Sequence, residues 1–219
     1  ALVGSQRPAV VAHPGRDHLQ PKVSEGEIIT RAQESGPLRI LFVGNLIPRK
    51  GLHTLIDALE RLPLDEWRLT VIGSLAVDRS YAASIHRRLR QDGLEGNIQI
   101  MGSQSSDEVA RCLTRSQLLV VPSTYEGFGI VYLEAQGFGL PSIATARGGA
   151  SEVVEDGRTG FLVPSGDPIT LAERSLSLMR DRQRLAQMGL AARQNYHAHP
   201  TWAESGERVR DFLRGLMER

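Results

Sequence analysis

Short apolar runs alternate with amphipathic stretches along the chain from Pro37 onward. Uninterrupted runs of this length are typical of buried strands, and they predict strands at 38–43, 68–72, 97–101, 118–121, 142–145 and 160–163. Apolar residues at every third or fourth position predict helices at 51–62, 81–90, 107–114 and 128–138, and helical periodicity continues from 167 to 219 with a break near His199 and Pro200. Strands that are apolar on both faces and alternate with helices indicate an α/β domain, a doubly wound parallel sheet flanked by helices.

The alternation of apolar and amphipathic stretches begins only after the first 36 residues. Residues 20–36 are polar and rich in turn-forming residues, and we predict a linker there. The chain starts at Ala1, without a methionine and on what resembles the end of a strand. We therefore expect residues 1–36 to be the end of a preceding domain and an interdomain linker, 37–199 to be a ligand-binding domain, and 200–219 to be a C-terminal helix.

Composition narrows the function classes. Of the 219 residues, 41% are apolar and 23% are charged, which is sufficient for a packed core. The formal net charge of +1 gives no general attraction to nucleic acid or to an anionic membrane. The single cysteine, Cys112, excludes an intrachain disulfide and indicates a reducing, cytoplasmic compartment. No stretch approaches the ~18 apolar residues of a membrane span.

Two loops follow predicted strands, and neither is a standard nucleotide loop. Gly127-Phe128-Gly129 is followed by Tyr132 where a dinucleotide fingerprint has its third glycine, and the residues around Lys50 do not form a P-loop. Even so, the loop from Gly44 to Gly51 places Arg49 and Lys50 at a helix start. The helix dipole favours anions there, so the two cations are well placed if they share an anion. A solvated basic turn is an equally good interpretation of this loop alone.

The second loop carries two carboxylates. The amides from Gly127 to Ile130 lie in the first turn of a predicted helix and have no intrahelical partners, which makes them an anion site. Glu126 precedes this turn and Glu134 lies eight residues on, about 12 Å along the axis at ~1.5 Å per residue. Carboxylates suit vicinal hydroxyls because they accept strong hydrogen bonds. The pattern predicts a sugar nucleotide, while the alternative is a helix-start acid and a solvent-facing glutamate.

The motifs together resemble a known family. Tyr125 to Gly129 with Glu134 is similar to the E-x7-E motif of retaining GT-B glycosyltransferases, above all those of family 4, the glycosyl transferases group 1. GNLIPRKGLHTLIDAL, from Gly44, is similar to the phosphate-binding segment of that family. RGGASEVVEDGRTGFLVPSGDP, from Arg147, is similar to its segment after the E-x7-E motif, and HPGRD, from His13, to its interdomain turn. The resemblance covers almost the whole chain in order.

The resemblance implies a Rossmann-like domain, the C-terminal half of a GT-B fold, that binds a nucleoside diphosphate sugar. It implies that Glu126 holds donor sugar hydroxyls, that the amides from Gly127 to Ile130 bind the diphosphate and that Glu134 holds the ribose. Lys50 would neutralise the departing diphosphate, and Gly44 would let the backbone approach the phosphates. The base would lie against the backbone near Met101.

One departure concerns Asn45, where the family has arginine after the glycine of its first loop. The change removes a phosphate cation, and Arg49 is the candidate to compensate. The N-terminal GT-B domain is absent from this chain, so we expect either a fragment or a natural split protein, with donor binding but little transfer in isolation. The resemblance implies no metal and no other cofactor, an acceptor that is lipid-linked or a glycan, and peripheral contact of the full enzyme with the inner face of a membrane.

Other interpretations remain open. The chain also fits a non-catalytic nucleotide- or sugar-binding module that partners another polypeptide, or another GT-B activity such as a nucleotide-sugar epimerase. His197 and His199 invite a metal hypothesis, but no Cys, Asp or Glu cluster joins them with zinc spacing. We predict a surface loop there.

Overall fold

The computed structural model describes residues 8–217. Its strands are β1 (Leu38–Val43), β2 (Trp67–Ile72), β3 (Ile98–Gly102), β4 (Leu118–Val121), β5 (Ser142–Thr145) and β6 (Gly160–Val163). Its helices are α1 (Glu25–Gln33), α2 (Leu52–Leu59), α3 (Arg79–Gln91), α4 (Ser106–Arg115), α5 (Ile130–Gly137), α6 (Ala150–Val153), α7 (Pro168–Arg180), α8 (Arg182–Ala198) and α9 (Trp202–Met217). All six predicted strands are present, within a residue of their predicted bounds.

The strands form one parallel sheet in the order β3-β2-β1-β4-β5-β6. This is the order of the Rossmann fold, and it confirms the doubly wound sheet flanked by helices. The chain changes its winding direction between β1 and β4, where Ile40 pairs with Leu118. Ligands of such sheets bind beyond the carboxyl ends of the strands at this switch point. The loops after β1 and β4 are the two that the sequence singles out.

The prediction of a linker at 20–36 is wrong for its central part, because α1 is a regular helix. Ser24 and Glu27 form a reciprocal capping box at its start, which satisfies amides that would otherwise lack partners. Ile28 is 1% exposed, and the helix packs against α8. Tertiary packing of one apolar residue per turn therefore stabilises a segment whose overall composition is that of a linker.

Arg31 ties α1 to the rest of the domain. It is 8% exposed, and its guanidinium donates to the carbonyls of Thr114 (3.0 Å), Phe138 (2.7 Å) and Gly139 (3.0 Å). These carbonyls lie at the ends of α4 and α5, where a cation complements the helix dipole. Burial lowers the pKa of Arg31 to about 10, so the side chain is a buried cation at neutral pH.

The two ends of the described chain lie against each other. Asp17 Oδ1 accepts a hydrogen bond of 2.8 Å from the amide of Trp202, at the start of α9. A Cβ atom at Gly15 would lie 2.1 Å from that same nitrogen, so only glycine permits this approach. The segment around residues 13–17 and the C-terminal helix are thus joined by direct contact.

Several helix boundaries differ from the predictions, and α2, for example, ends at Leu59 and not at 62. Helix α5 begins at Ile130 and not at 128, because Gly129 is its N-cap with a left-handed φ of 87°. The helical stretch after 167 breaks at Asp181, which caps α8 by accepting from the amide of Arg184, as well as at the predicted position near His199 and Pro200. Within residues 8–217, no helix has both the length and the apolar character needed to cross a bilayer.

Candidate functional site

The loops that follow β1 and β4 meet at the switch point of the sheet. The turn Pro48–Lys50 is a short 3₁₀ helix that ends on Gly51, whose φ is 74°. A Cβ atom at Gly51 would lie 2.2 Å from the carbonyl oxygen of Pro122. The amide of Thr124 donates to the carbonyl of Arg49 over 2.8 Å. Close backbone contact therefore fixes one loop against the other.

Lys50 and Glu126 form an ion pair across these loops. Lys50 Nζ lies 2.7 Å from Glu126 Oε2, and the two side chains are 15% and 13% exposed. The hydroxyl of Ser123 donates to the same carboxylate oxygen over 3.1 Å. Partial burial strengthens such a pair relative to one in bulk water. The two residues predicted to be catalytic are thus in direct contact.

The remaining residues predicted in the first loop have different surroundings. At Gly44, a Cβ atom would lie 3.2 Å from the Lys50 side chain, so glycine leaves that side chain its path to Glu126. Asn45 is exposed, and its Oδ1 accepts from the amide of Ser74 over 3.3 Å. The Arg49 guanidinium donates to the carbonyl of Tyr125 over 2.6 Å. It is therefore engaged with backbone and not with the ion pair.

The glycine-rich loop presents free amides beside the ion pair. Within residues 8–217, the amides of Gly127, Phe128 and Gly129 find no acceptor in the protein. A Cβ atom at Gly129 would lie 2.6 Å from the ring of Tyr132, and the Tyr132 hydroxyl donates to the carbonyl of Val121 over 2.7 Å. Burial raises the pKa of this phenol. The buried Tyr132 therefore packs against the glycine-rich loop.

Gly148 and Gly149 are site residues that sequence reasoning assigned no role of their own. The Gly149 amide donates to the Glu126 carbonyl over 2.8 Å. Gly148 has a φ of +76°, and a Cβ atom there would lie 2.0 Å from that same oxygen. At Gly149, the corresponding distance to the Gly127 carbonyl oxygen is 2.3 Å. The glycine pair therefore lets the segment after β5 lie directly against the backbone of Glu126.

Glu134 has a partner that the sequence did not indicate. Its side chain, on α5, is 11% exposed, and its Oε1 lies 2.5 Å from Nδ1 of His18. Burial raises the pKa of Glu134, and the contact with His18 opposes that rise. The two residues are 116 positions apart, so no local pattern could have paired them.

The spacing argument for the two glutamates also needs correction. It measured about 12 Å along a helix axis from ~1.5 Å per residue, but Glu126 lies in the loop before the N-cap of α5. Helical rise applies only from Ile130 onward. Glu126 is placed by the contacts of its loop and Glu134 by the helix.

Met101, the predicted neighbour of the base, lies near the end of β3, two strands away from β1. Its carbonyl accepts from Gln104 Nε2 over 2.6 Å, and the carbonyl of Gly102 accepts from the amide of Gly73 over 2.9 Å. These two backbone acceptors are therefore already engaged within the protein.

The prediction of a surface loop at His197 and His199 is wrong, because His197 lies in α8 and His199 is the C-cap of that helix. His199 packs against other aromatic rings. The ring centroid of His199 lies 5.7 Å from those of both Phe128 and His13, and burial lowers the pKa of His199. Among residues 8–217, no three His, Cys, Asp or Glu side chains are grouped as a metal site would require.

Comparisons with known proteins bear on this site. Residues 27–195 match the family described as glycosyl transferases group 1. The chain is 30% identical over 185 residues to the GDP-mannose-dependent alpha-(1-6)-phosphatidylinositol monomannoside mannosyltransferase of Mycobacterium tuberculosis, an alignment that covers 80% of this chain and 47% of that protein. The chain thus spans about half the length of such curated relatives.

Solved structures agree in fold. Anabaena Alr3699/HepE, crystallised with UDP and glucose, has a TM-score of 0.77 and 26% identity, over 88% of this chain and 53% of that one. The C-terminal domain of a glycosyl transferase group 1 family protein from Francisella tularensis has a TM-score of 0.70 and 22% identity, over 85% of this chain and 97% of that domain. The sheet is accordingly one half of a GT-B fold. The chain belongs to the glycosyl transferases of group 1.

Proposed function

We propose that this chain is the donor-binding half of a retaining glycosyltransferase and that it binds a nucleoside diphosphate sugar at the carboxyl ends of β1 and β4. The observation that carries the proposal is the Lys50–Glu126 pair of 2.7 Å beside the free amides of Gly127, Phe128 and Gly129. A cation, a carboxylate and unsatisfied N–H groups at one switch point match a ligand that has both an anionic group and hydroxyls.

Each half of the ion pair has a role in this proposal. The diphosphate takes Lys50 as its counter-ion, and the released Glu126 carboxylate accepts hydrogen bonds from hydroxyls of the donor sugar. The glycine-loop amides hold phosphate oxygens at the start of α5, where the helix dipole favours negative charge. Lys50 then stabilises the charge that develops on the departing diphosphate, and we assign this role to the lysine without a metal ion or other cofactor.

The nucleoside occupies the remaining predicted positions. Glu134 accepts hydrogen bonds from the ribose hydroxyls, and the base lies near Met101. Gly44 permits close approach of the donor phosphates. The neutral side chain of Asn45 contributes no charge, and its Oδ1 faces the amide of Ser74. The Arg49 guanidinium faces the carbonyl of Tyr125, so we do not assign it the role of the missing cation.

Retention follows from attack on the face that the leaving group occupies. The acceptor hydroxyl oxygen bonds to the anomeric carbon as the bond to the diphosphate oxygen breaks, and the hydroxyl proton passes to the departing diphosphate. The second half of the fold binds the acceptor, so this chain alone binds donor without transferring sugar. The relative in Mycobacterium tuberculosis is named for a phosphatidylinositol monomannoside, which supports a lipid-linked acceptor. A glycan is the alternative acceptor in this proposal, in which the full enzyme is cytoplasmic and contacts a membrane surface peripherally.

Calorimetric titration with UDP, GDP and ADP tests the proposal and identifies the base. Lys50→Ala should weaken binding of the preferred diphosphate by about 10- to 100-fold, the equivalent of a hydrogen bond between charged groups. Arg49→Ala is the matched control, because this neighbouring cation faces a backbone carbonyl, and it should change the Kd by less than about threefold. Failure of all three diphosphates to bind would refute the proposed site. Equal losses in the two variants would show that Arg49 shares the anion with Lys50 and would refute the separate role given to the lysine.

A further inference from the structure

A second contact between a basic side chain and a carboxylate joins the segment before α1 to α5. We propose that His18 is a positioning residue, which holds one oxygen of Glu134 so that the other is presented to the ribose hydroxyls of the donor. The inference rests on the proposed function, in which Glu134 binds the ribose. It adds a residue that lies outside the loops at the switch point and outside the E-x7-E motif.

The contact engages only half of the carboxylate. His18 Nδ1 lies 2.5 Å from Oε1 of Glu134, and no side chain or amide within residues 8–217 donates to Oε2. The terminal torsion of a glutamate is broad and roughly twofold, so an unrestrained carboxylate rotates freely. A contact to Oε1 fixes that torsion and leaves Oε2 with its full capacity to accept.

The backbone that carries His18 is itself anchored. The hydroxyl of Tyr196, on α8, faces the carbonyls of Arg16 at 3.1 Å and Leu19 at 3.4 Å. Leu19 is 7% exposed. On the other side of His18, Asp17 binds the amide of Trp202 over 2.8 Å. The imidazole therefore extends from a segment fixed on both sides, as a positioning role requires.

The environment of Glu134 makes such support useful. The side chain is 11% exposed, and burial favours its neutral form by raising its pKa. A protonated carboxyl group accepts fewer hydrogen bonds than a carboxylate. His18 opposes this effect of burial, and so helps to keep both oxygens available as acceptors.

The alternative is that the contact only ties the segment around His18 to α5. The two roles differ in what they do to nucleotide recognition. A purely structural contact changes the affinity for every ligand equally or for none. A positioning residue changes the affinity only for ligands that carry ribose hydroxyls. The geometry of the imidazole provides a second distinction. Nδ1 is separated from Cβ by the same number of bonds as the amide nitrogen of asparagine, while the amide nitrogen of glutamine corresponds to Nε2.

The test is a titration of the 219-residue chain with the preferred nucleoside diphosphate and with its 2′,3′-dideoxy counterpart. Wild type should favour the ribose form by about tenfold or more, and Glu134→Ala should abolish that preference. His18→Ala should weaken binding of the ribose form by about five- to tenfold and leave the dideoxy form within about twofold. His18→Asn should restore most of the preference and His18→Gln should not.

The outcomes separate the two proposals. If Glu134→Ala removes the ribose preference but His18→Ala does not, the role of His18 is refuted and the proposed function stands. Equal weakening of both nucleotides by His18→Ala would show a structural tie and overturn the inference. If wild type shows no ribose preference or binds no nucleotide, the assignment of Glu134 fails, and the role of His18 fails with it.

Discussion

Gly148 gives the sharpest test of how the site is held together. Its φ is +76°, and a Cβ atom there would lie 2.0 Å from the Glu126 carbonyl oxygen. Gly157 is a natural control, because its φ is also +76° and a Cβ atom there would have nothing within 4 Å. Alanine at either position meets the same backbone strain. Only alanine at position 148 also collides with the candidate site.

The expected magnitudes follow from these contacts. A left-handed conformation costs an L-residue about 1–2 kcal/mol, and this is the whole expected loss of stability for Gly157→Ala. Gly148→Ala must also move the loop by about 1.5 Å to restore van der Waals contact. It should break the hydrogen bond from the Gly149 amide to Glu126, worth about 0.5–1.5 kcal/mol. The total for Gly148→Ala is therefore about 1.5–3.5 kcal/mol.

Urea denaturation measures the stability of both variants, and calorimetric titration with the preferred nucleoside diphosphate measures the site. Gly148→Ala should weaken binding of the nucleotide by about tenfold, because displacing Glu126 also disturbs its contact with Lys50. Gly157→Ala should bind as wild type does. Equal losses of stability in the two variants, together with unchanged nucleotide binding in Gly148→Ala, would refute the claim that this glycine positions Glu126.

Three further predictions follow from individual contacts. Arg31→Met should lower the free energy of unfolding in urea by about 2–4 kcal/mol, since three carbonyls lose a charged donor, whereas Arg87→Met at an exposed site should be neutral. Hydrogen bonding, first from the Thr170 hydroxyl, lowers the pKa of Asp167 below 3.8, so its capping contribution is present above pH 3.8 and lost as the pH falls through the lowered value. Asp167→Asn keeps an uncharged cap. The difference in Tm between this variant and wild type should therefore shrink as the pH falls through the lowered pKa and the wild-type carboxylate loses its charge. A constant difference would contradict this account. Glu126→Gln should bind nucleoside diphosphate as tightly as wild type or more tightly, but it should bind the sugar nucleotide more weakly. Equal losses of affinity for both ligands in calorimetric titration would be inconsistent with the proposed roles.

The sheet was predictable because its strands are continuous apolar runs. β4 and β5 are buried at every position, so their sequences leave little choice of structure. Their alternation with helices then restricts the order of strands and places the ligand loops at the switch point. The same logic brought Lys50 and Glu126 to one edge of the sheet, although they are 76 residues apart.

Helix α1 was not predictable from composition, since its burial is tertiary. A helix of 9 residues is too short to be stable alone, and it forms here because Ile28 and Arg31 contact other elements. A signal was nevertheless present: Ser24 followed three residues later by Glu27 is the pattern of a capping box. The segment would have been recognised as a helix if capping had been weighed above turn composition.

Contacts that depend on backbone conformation or on distant segments could not be predicted from the sequence. Nothing local distinguishes Gly148, which is crowded, from Gly157, which is open, because both follow from the path of the chain around them. His18 directly follows HPGRD, a segment that the sequence indicated only as an interdomain turn. Its contact with Glu134 arises because α8 and α9 hold that segment over α5.

The two glutamates show how far burial alone supports a ligand. A carboxylate in apolar surroundings needs a partner, and here the protein supplies one to each, Lys50 to Glu126 and His18 to Glu134. Burial therefore does not by itself require a ligand, and the free amides beside Glu126 are the stronger indication. A diphosphate that takes Lys50 would leave the charged Glu126 with only the Ser123 hydroxyl as a donor unless further hydroxyl donors arrive with it. On the proposed function, the intact sugar nucleotide supplies both groups and the diphosphate product only one, so the ion pair favours donor binding over product retention.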